Sequence, residues 1–373
     1  MEGSREIKIS FEKFIKRSWP ILVFGGVLLV VTSVLLFIFA VSGKGRKQVS
    51  NTENTVTDTP ATTDEAILIP RNLDGVLVAP EEARLQPYAV MVENHVDARP
   101  LSGPALANLV FEIPVEGGIT RYLLVFDATT TVQTIGPVRS ARPYFVDFAD
   151  GLNAVYTHVG GSPEALEMIS GLSSFRDLNE FFNGRFFWRS AKRTAPHNVF
   201  TSTDLLHEAA LGKKWTDGHF RPWSYKDDDP FDSTTSTNRG SENGPKLTYG
   251  GSYSVSWTYD RETNSYKRTE GEKKQLDQDG SQVTAKNIVV LQTDGSVIDS
   301  EGRLKIRTTG RGKATLYRDG RSFEVSWFRA SGEHIKIESI DGKEADFNRG
   351  TTWVEVMLNT TSATSTTSTT PTE

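Results

Sequence analysis

Arginine, glutamate and histidine side chains are concentrated in four short stretches between residues 112 and 198, each marked by glycine or proline. The first stretch carries Glu112, Glu116 and Arg121 around a Gly-Gly pair, which lets the backbone turn tightly or approach a ligand closely. Two carboxylates and one guanidinium at this spacing can form a polar cluster at one end of a sheet. The alternative is a hairpin whose charges are solvated.

The second stretch places Arg139 and Arg142 three positions apart at the predicted start of a helix. A guanidinium group can bind a carboxylate or a phosphate through two parallel hydrogen bonds, and a helix start adds backbone N–H donors. Residues at this spacing also share a helix face. The pair therefore indicates an anion-binding site, or alternatively two structural ion pairs with Glu112 or Glu116.

The third and fourth stretches add histidines and further basic groups. His158 follows a predicted strand and precedes Gly-Gly and a predicted helix start, a position where α/β sheets commonly bind ligands. It could contact a ligand or transfer a proton, although a lone histidine is more often a structural hydrogen-bonding residue. The fourth stretch contains Arg189, Arg193, His197 and Asn198 beside a tryptophan. It indicates a sugar-stacking site with polar clamps, an anion site or a solvated basic loop.

An uncharged apolar run at residues 20–41 is long enough to cross a hydrocarbon layer of about 30 Å at ~1.5 Å per residue. Five Lys/Arg residues precede this run and three follow it closely, which favours a cytoplasmic segment 1–19 and an extracytoplasmic body. The alternative is a cleaved signal peptide, whose apolar core is usually only about 7–15 residues long. The sequence therefore predicts a single-pass membrane protein with one N-terminal transmembrane helix.

The charge of the chain is unevenly distributed. Its formal net charge is −5, but residues 1–50 carry eight Lys/Arg and three Glu, so the remainder is acidic, at −10. Nucleic-acid binding relies on a basic footprint, so the composition argues against a nucleic-acid partner. The chain has no cysteine, no P-loop, no His-Glu-x-x-His motif and no Gly-x-Ser-x-Gly motif. Neither a metal nor a cofactor is expected.

Two segments poor in apolar residues flank the folded body. Residues 42–66 and 359–373 are rich in Thr and Ser, cannot bury enough apolar surface to offset chain entropy, and are predicted to be a linker and a disordered tail. Residues 67–212 are predicted to be a mixed α/β domain with some parallel strand pairing. Residues 213–250 are a predicted polar connector, and residues 251–358 a smaller, mostly antiparallel β domain. We expect this β domain to fold by itself.

Apolar runs, helix caps and turn residues predict the individual elements. In the first domain the predicted strands lie at 88–93, 108–113, 121–126 and 153–158. The predicted helices lie at 140–150, at 163–169 after the N-cap Ser162, and at 202–211 before Gly212. In the second domain the predicted strands lie at 254–259, 287–292, 314–318, 323–328 and 352–357. They are separated by Asp-Gly turns at 279–280, 294–295, 319–320 and 341–342.

Several of these stretches resemble the YerB-like family of bacterial cell-envelope proteins, usually lipoproteins. In the first domain the resemblance rests on residues 98–103, 116–121 (Glu-Gly-Gly-Ile-Thr-Arg), 136–144 (Gly-Pro-Val-Arg-Ser-Ala-Arg-Pro-Tyr), 158–162 and 195–198. In the second it rests on residues 266–268, 285–290, 310–314, 319–320 and 350–354. The resemblance implies a mixed N-terminal domain followed by a smaller C-terminal domain outside the membrane. It supplies no reaction, and this chain lacks the lipidated cysteine of such proteins.

Three functions remain open. The leading prediction is a membrane-anchored protein that binds an anionic or sugar-containing envelope ligand through Arg121, Arg139, Arg142, His158, Arg189, Arg193, His197 and Asn198. The second is a hydrolase or transferase acting on a phosphate- or glycan-bearing substrate, with Glu112 or Glu116 as base and His158 or His197 as acid. The third is a structural interaction protein whose polar side chains brace the fold.

Overall fold

Within the described part of the chain, one sheet of eleven strands draws on both predicted domains. A computed structural model describes residues 67–230, 243–250 and 253–359. The strands up to the predicted connector are β1 (Ile69–Pro70), β2 (Leu77–Val78), β3 (Tyr88–Glu93), β4 (Leu109–Pro114), β5 (Thr120–Phe126), β6 (Val155–His158), β7 (Asp177–Asn179), β8 (Trp188–Arg189) and β9 (Val199–Phe200). The later strands are β10 (Ser224–Lys226), β11 (Asn243–Gly250), β12 (Tyr253–Asp260), β13 (Ser265–Glu270), β14 (Lys273–Lys274), β15 (Thr284–Ala285), β16 (Asn287–Val297), β17 (Leu304–Ile306), β18 (Gly310–Arg318), β19 (Arg321–Arg329), β20 (Lys336–Ser339), β21 (Asp346–Asn348) and β22 (Thr352–Asn359).

The helices of the described residues are few and short. The α-helices in the described ranges are α1 (Pro143–Gly151), α2 (Pro163–Gly171), α3 (Glu180–Asn183) and α4 (Thr203–Lys213). Short 3₁₀ helices lie at Pro80–Glu82, Val96–Ala98, Pro104–Leu106, Glu116–Gly118 and Gly184–Phe186. The Ser162 hydroxyl accepts a hydrogen bond from the Ala165 N–H at 3.3 Å, as the predicted cap requires. The structure thus confirms a mixed, sheet-rich fold with few helices.

The large sheet has the order β20-β19-β18-β16-β22-β4-β5-β3-β6-β7, with β17 paired to β16. Strand β22 lies between β16 and β4 and is parallel to both. Strands β3, β6 and β7 are also parallel, whereas β4–β5–β3 and β16–β18–β19–β20 are antiparallel. A second, antiparallel sheet in the described residues contains β11, β12, β13, β14 and β15.

Successive residues of the central strands point into two separate cores. In β3, Ala89 and Met91 belong to the first core, and Tyr88 and Val90 belong to the second. Residues of α1 and α2 close the first core, whereas residues of the smaller sheet and α4 close the second. Both faces of the strand are covered, so β3 is buried along its whole length, as expected of strands that are apolar on both sides.

The expectation that residues 251–358 fold by themselves is not supported by this structure, in which they share both cores with the N-terminal strands. Val289 of β16 lies in the same core as Met91, and Trp353 of β22 lies in the same core as Tyr88. Trp223, within the predicted connector, stacks on Phe347 with ring centroids 4.3 Å apart. The described residues from 67 onward belong to one compact unit. The segment boundaries themselves stay predictions.

Two local predictions are also wrong. The last helix does not end at Gly212 but continues to Lys213, and its C-cap is Lys214 in the left-handed conformation, with φ of 60°. The pair 294–295 is not a turn, because it lies inside β16. A Cβ on Gly295 would be 2.9 Å from the side chain of Leu358, so glycine here permits close packing between neighbouring strands.

Several predictions fall on residues outside the described ranges. These are the cytoplasmic segment 1–19, the membrane span 20–41, the linker 42–66 and residues 360–373 of the tail. Among the residues that the structure does describe, no helix combines the length and apolarity needed to span a membrane.

A fragment of residues 246–358 should therefore fail to unfold cooperatively, because β22 would lose β4 and both cores would lose their N-terminal half. We expect a flat thermal transition by circular dichroism for this fragment and a sigmoidal one for residues 65–359. A sigmoidal transition from the short fragment would contradict the shared cores.

Candidate functional site

Three arginines and two glutamates lie together where β3 ends and β5 begins; we call Glu93, Glu116, Arg121, Arg139 and Arg142 the arginine cluster. Glu93 is the last residue of β3 and pairs in register with Arg121 of β5. Glu116 lies in the 3₁₀ turn between β4 and β5. The backbone N–H of Arg139 donates to Met91 O at 2.9 Å, which fixes the arginine-bearing loop against β3.

Each carboxylate of the arginine cluster has an arginine partner. Arg142 donates from Nε to Glu116, and Arg121 Nη2 lies 3.8 Å from the same carboxylate. Arg139 Nε is 3.1 Å from Glu93 Oε1, although this ion pair lacks hydrogen-bond geometry. The guanidinium of Arg121 also donates to Ser140 O at 3.0 Å. The arginine cluster thus contains three guanidiniums for two carboxylates.

This excess of positive charge affects the pKa of Arg121. Its side chain is buried, at 6% exposure, and its Nε has no hydrogen-bond partner. Burial, together with the positive charges of Arg142 and Arg139, lowers the pKa of Arg121 to about 10 against the opposing effect of Glu116. Burial opposes ionisation of Glu116, but the hydrogen bond and charge of Arg142 outweigh it and hold the pKa of Glu116 below its usual value.

His197 joins the arginine cluster through Glu93. Its Nδ1 lies 2.7 Å from Glu93 Oε2, and the Glu93 side chain is only 3% exposed. The carboxylate can only accept, so Nδ1 carries the proton and Nε2 keeps its lone pair in a neutral ring. Glu93 therefore orients His197 while it also pairs with Arg139.

The other basic residues of the fourth stretch brace loops. Arg193 donates from Nη1 to Ala98 O and from Nη2 to Pro100 O, the second at 2.6 Å. Arg189 pairs with Glu180 at 2.9 Å and donates to Asn198 Oδ1 at 3.3 Å. These contacts occupy the side chains that the sequence predicted as ligand clamps.

His158 is fully buried and has both ring nitrogens engaged. Nδ1 lies 2.6 Å from Gly160 O, and Nε2 lies 2.6 Å from Asp177 Oδ1. Each ring nitrogen therefore lies at hydrogen-bond distance from an oxygen of the protein. His158 holds the glycine turn after β6 and has no nitrogen left for a ligand.

Glu112 does not belong to the arginine cluster. It is fully buried, and its Oε1 accepts hydrogen bonds from Thr120 and Tyr253, each at 2.7 Å. Its Oε2 accepts from Arg268 of β13. Glu112 therefore does not pair with Arg139 or Arg142, and its use as a general base stays a prediction that these contacts disfavour.

Arg268 lies between two buried carboxylates, and we call Glu112, Arg268 and Glu355 the buried triad. Arg268 Nε is 3.7 Å from Glu355 Oε1, and the guanidinium carbon is 4.8 Å from the ring centre of Trp353. All three triad side chains have no exposed surface. Burial raises the pKa of Glu355 to about 8, and the charge of Glu112 adds to this rise against the opposing charge of Arg268.

Sequence reasoning missed Glu93, Arg268 and Glu355, although one signal for Arg268 was present. In a strand, residues two apart share a face, and Arg268 lies two positions after Tyr266, an aromatic residue of the second core. This alternation predicts an inward-facing Arg268. Glu93 is the last residue of the apolar strand β3, and Glu355 lies within the apolar strand β22. Their partners come from distant parts of the chain and are brought close only when the strands pair.

Three cavities occur on the described surface away from the predicted residues. One of about 670 Å³ is lined by residues of β18 to β21, including Phe323 and Ile340. A second, of about 410 Å³, includes His219 and His334, and a third, of about 360 Å³, includes Asp277. None of the predicted site residues lines these three cavities, so the predicted common concavity stays a prediction.

Comparison with known proteins gives a family but no reaction. Residues 73–216 match the "Protein of unknown function (DUF3048) N-terminal domain", and residues 246–354 match the corresponding C-terminal domain. The chain is 31% identical over 304 residues to "Putative lipoprotein YerB" of Bacillus subtilis (strain 168), covering 80% of this chain and 88% of that protein. The crystal structure of YerB protein from Bacillus subtilis matches with a TM-score of 0.69 at 30% identity, over 78% of this chain and 97% of that one. The N-terminal match contains the whole arginine cluster.

Replacing Glu355 by Gln should flatten the dependence of stability on pH. The pKa of Glu355 rises from 4.5 to about 8 on folding, so its contribution to stability is full below pH ~4.5 and is lost as the pH rises through ~8. Glutamine keeps the neutral shape at every pH. The melting temperature of Glu355→Gln relative to the wild type should therefore rise between pH 5 and pH 9.

The matched control is Glu324→Gln, an exposed position on β19, whose melting temperature should follow the wild type at both pH values. Parallel pH profiles for Glu355→Gln and the wild type would contradict a protonated Glu355 in the folded protein.

Proposed function

The chain belongs to the YerB-like family, and on that premise we propose that it is an extracytoplasmic envelope protein whose arginine cluster binds an anionic group. The anion would be a phosphate or a carboxylate of an envelope component. Arg121, Arg139 and Arg142 would provide the donors. The relatives support the envelope location, and the arginine cluster supports the chemistry.

The observation that carries the proposal is the unpaired Nε of buried Arg121. A buried donor without a partner costs free energy, and the cost is larger when the group is charged. Neighbouring guanidiniums raise this cost, because their charges lower the pKa of Arg121. An anion placed among the three arginines would accept a hydrogen bond from the unpaired donor and would reduce the repulsion between the guanidiniums. Guanidinium groups bind carboxylates and phosphates with matched geometry.

The position of the arginine cluster in the fold also favours a ligand. Glu93 is the last residue of β3, and its parallel neighbour β6 ends at His158. Ligands in α/β folds commonly bind beyond the carboxyl ends of parallel strands. The side chains of Arg139 and Arg142 keep 21% and 13% of their surface exposed, so an anion can reach them from solvent.

Binding accounts for this arrangement better than the predicted catalysis. Glu112 is sealed in the buried triad, Glu116 is held by Arg142, and His158 has both nitrogens engaged. An acid–base pair needs a base and an acid that reach one reacting position. Of the four candidates, His197 keeps a ring nitrogen beyond its contact with Glu93. The bracing role proposed from the sequence fits Arg189 and Arg193.

The double variant Arg139→Gln/Arg142→Gln should lose anion binding. We expect inorganic phosphate and citrate to bind the wild type in isothermal titration at low ionic strength, and the affinity of the double variant to fall about 10- to 100-fold, as for loss of about 1.5–3 kcal/mol of charged hydrogen bonding. N-acetylglucosamine, a neutral sugar, tests the alternative of sugar recognition.

The matched control is Arg307→Gln/Arg311→Gln, which removes the same charge from two more exposed arginines on the β17–β18 side of the sheet. Equal losses in both double variants would indicate general charge attraction and contradict a site. If the cluster variant fails to fold, Arg142→Lys retains the charge without the fork and should still weaken phosphate binding.

The anchor proposed for residues 20–41 has its own test. Wild-type chain should stay in the membrane fraction after an alkaline carbonate wash, and a chain lacking residues 1–48 should be released, because the apolar run is absent. Externally added protease should remove the body from intact cells. Complete release of the wild type by carbonate would contradict a membrane-spanning segment.

A further inference from the structure

A second polar group lies immediately beside the arginine cluster, and it is built from two imidazoles and one carboxylate. His95 and Asp97 follow β3, whereas His197 comes from the loop before β9. Each offers one ligand atom, and the three atoms lie within 4.8 Å of one another. The two imidazole rings stack with centroids 5.6 Å apart and an interplanar angle of 19°. We propose that His95, Asp97 and His197 bind a divalent transition-metal ion such as Zn²⁺.

The orientation of His197 is a separate observation that points to a metal. Glu93, itself buried, contacts His197 Nδ1 at 2.7 Å and leaves Nε2 as the available ligand atom. Metal-binding histidines usually donate their other ring N–H to a carboxylate, which fixes the tautomer and increases the basicity of the ligand nitrogen. Glu93 is held in turn by Arg139 at 3.1 Å. The supporting carboxylate is therefore in place.

The side chains of His95 and Asp97 are accessible to an ion, and binding through His95 Nδ1 would replace the hydrogen bond that this atom accepts from the Asp97 N–H at 3.2 Å. Ligand atoms of a tetrahedral zinc site are separated by about 3.3 Å, given metal–ligand bonds of about 2.0–2.1 Å. His95 Nδ1 and Asp97 Oδ2 are already 3.5 Å apart, and their side chains are 37% and 71% exposed. Small rotations of these side chains can bring the group from 4.8 Å to bonding geometry. Two histidines and one carboxylate leave a fourth position open, as in catalytic rather than structural zinc sites.

The charge balance of the site also accommodates a cation. Asp97 supplies one negative charge directly and Glu93 supplies a second through His197, while Arg139 offsets one of them. Imidazole and carboxylate together suit Zn²⁺, Co²⁺ and Ni²⁺ better than Ca²⁺ or Mg²⁺. This inference does not depend on anion binding by the arginine cluster.

The test uses the full chain in detergent, without a polyhistidine tag and stripped of metal by a chelator. Titration with Zn²⁺ alone should give one site of micromolar affinity or tighter, and Co²⁺ alone should give visible absorption bands of a low-coordinate complex. His95→Ala and His197→Gln should each weaken Zn²⁺ binding at least tenfold. Glu93→Gln should weaken it about 10- to 100-fold.

The matched control is His219→Ala, which removes an exposed histidine that also lies beside an aspartate, with His219 Nε2 3.3 Å from Asp217 Oδ2. Its affinity for Zn²⁺ should equal that of the wild type. If His197→Gln or Glu93→Gln does not fold, the exposed variants His95→Ala and Asp97→Asn decide the question. No stoichiometric Zn²⁺ binding by the wild type, or unchanged binding in His95→Ala and Asp97→Asn, would overturn the proposal.

Discussion

The contact on which the rest of this structure depends is the burial of Arg268 between Glu112 and Glu355. These carboxylates lie side by side because β4 and β22 are paired with Glu112 opposite Glu355. Arg268 reaches them from β13 of the smaller sheet. Removing one member of a buried ion pair leaves an uncompensated charge and typically costs about 3–5 kcal/mol. The triad therefore ties the N-terminal strands, the last strand and the smaller sheet to one another.

The same network reaches the candidate site through a short series of hydrogen bonds. Thr120 donates to Glu112 at 2.7 Å and accepts from Asn94 Nδ2 at 2.8 Å. Asn94 also donates to Tyr253, which donates to Glu112. Asn94 lies between Glu93, which orients His197, and His95. The end of β3 is thereby fixed from the buried side, so the backbone that carries Glu93 and His95 is held in place.

Local pattern was sufficient for several of the strands and helices but not for the contacts between them. The run 88–93 gave β3 with its observed bounds, and Arg121, Arg139 and Arg142 were found because each lies in a short motif marked by glycine or proline. Glu355 needed the parallel pairing of β22 with β4, more than two hundred residues earlier in the chain. His95 and His197 are likewise distant in sequence and meet only after β3 is placed in the sheet. The periodicity of apolar residues and the spacing of motifs give information only about residues that are close in sequence. They could not predict contacts between residues that lie far apart along the chain.

The buried triad has an excess of negative charge and the arginine cluster an excess of positive charge. The burial of each group determines how its excess charge can be neutralised. The triad has two carboxylates for one guanidinium, is fully buried, and can neutralise its excess by protonating Glu355, whose pKa is about 8. The arginine cluster has three guanidiniums for two carboxylates. Its most perturbed member, Arg121, still has a pKa of about 10 and keeps its proton at neutral pH. A proton can therefore balance the triad but cannot balance the arginine cluster. Arg139 and Arg142 remain partly exposed, so the excess positive charge of the cluster is accessible from solution, where the anion that we propose would offset it.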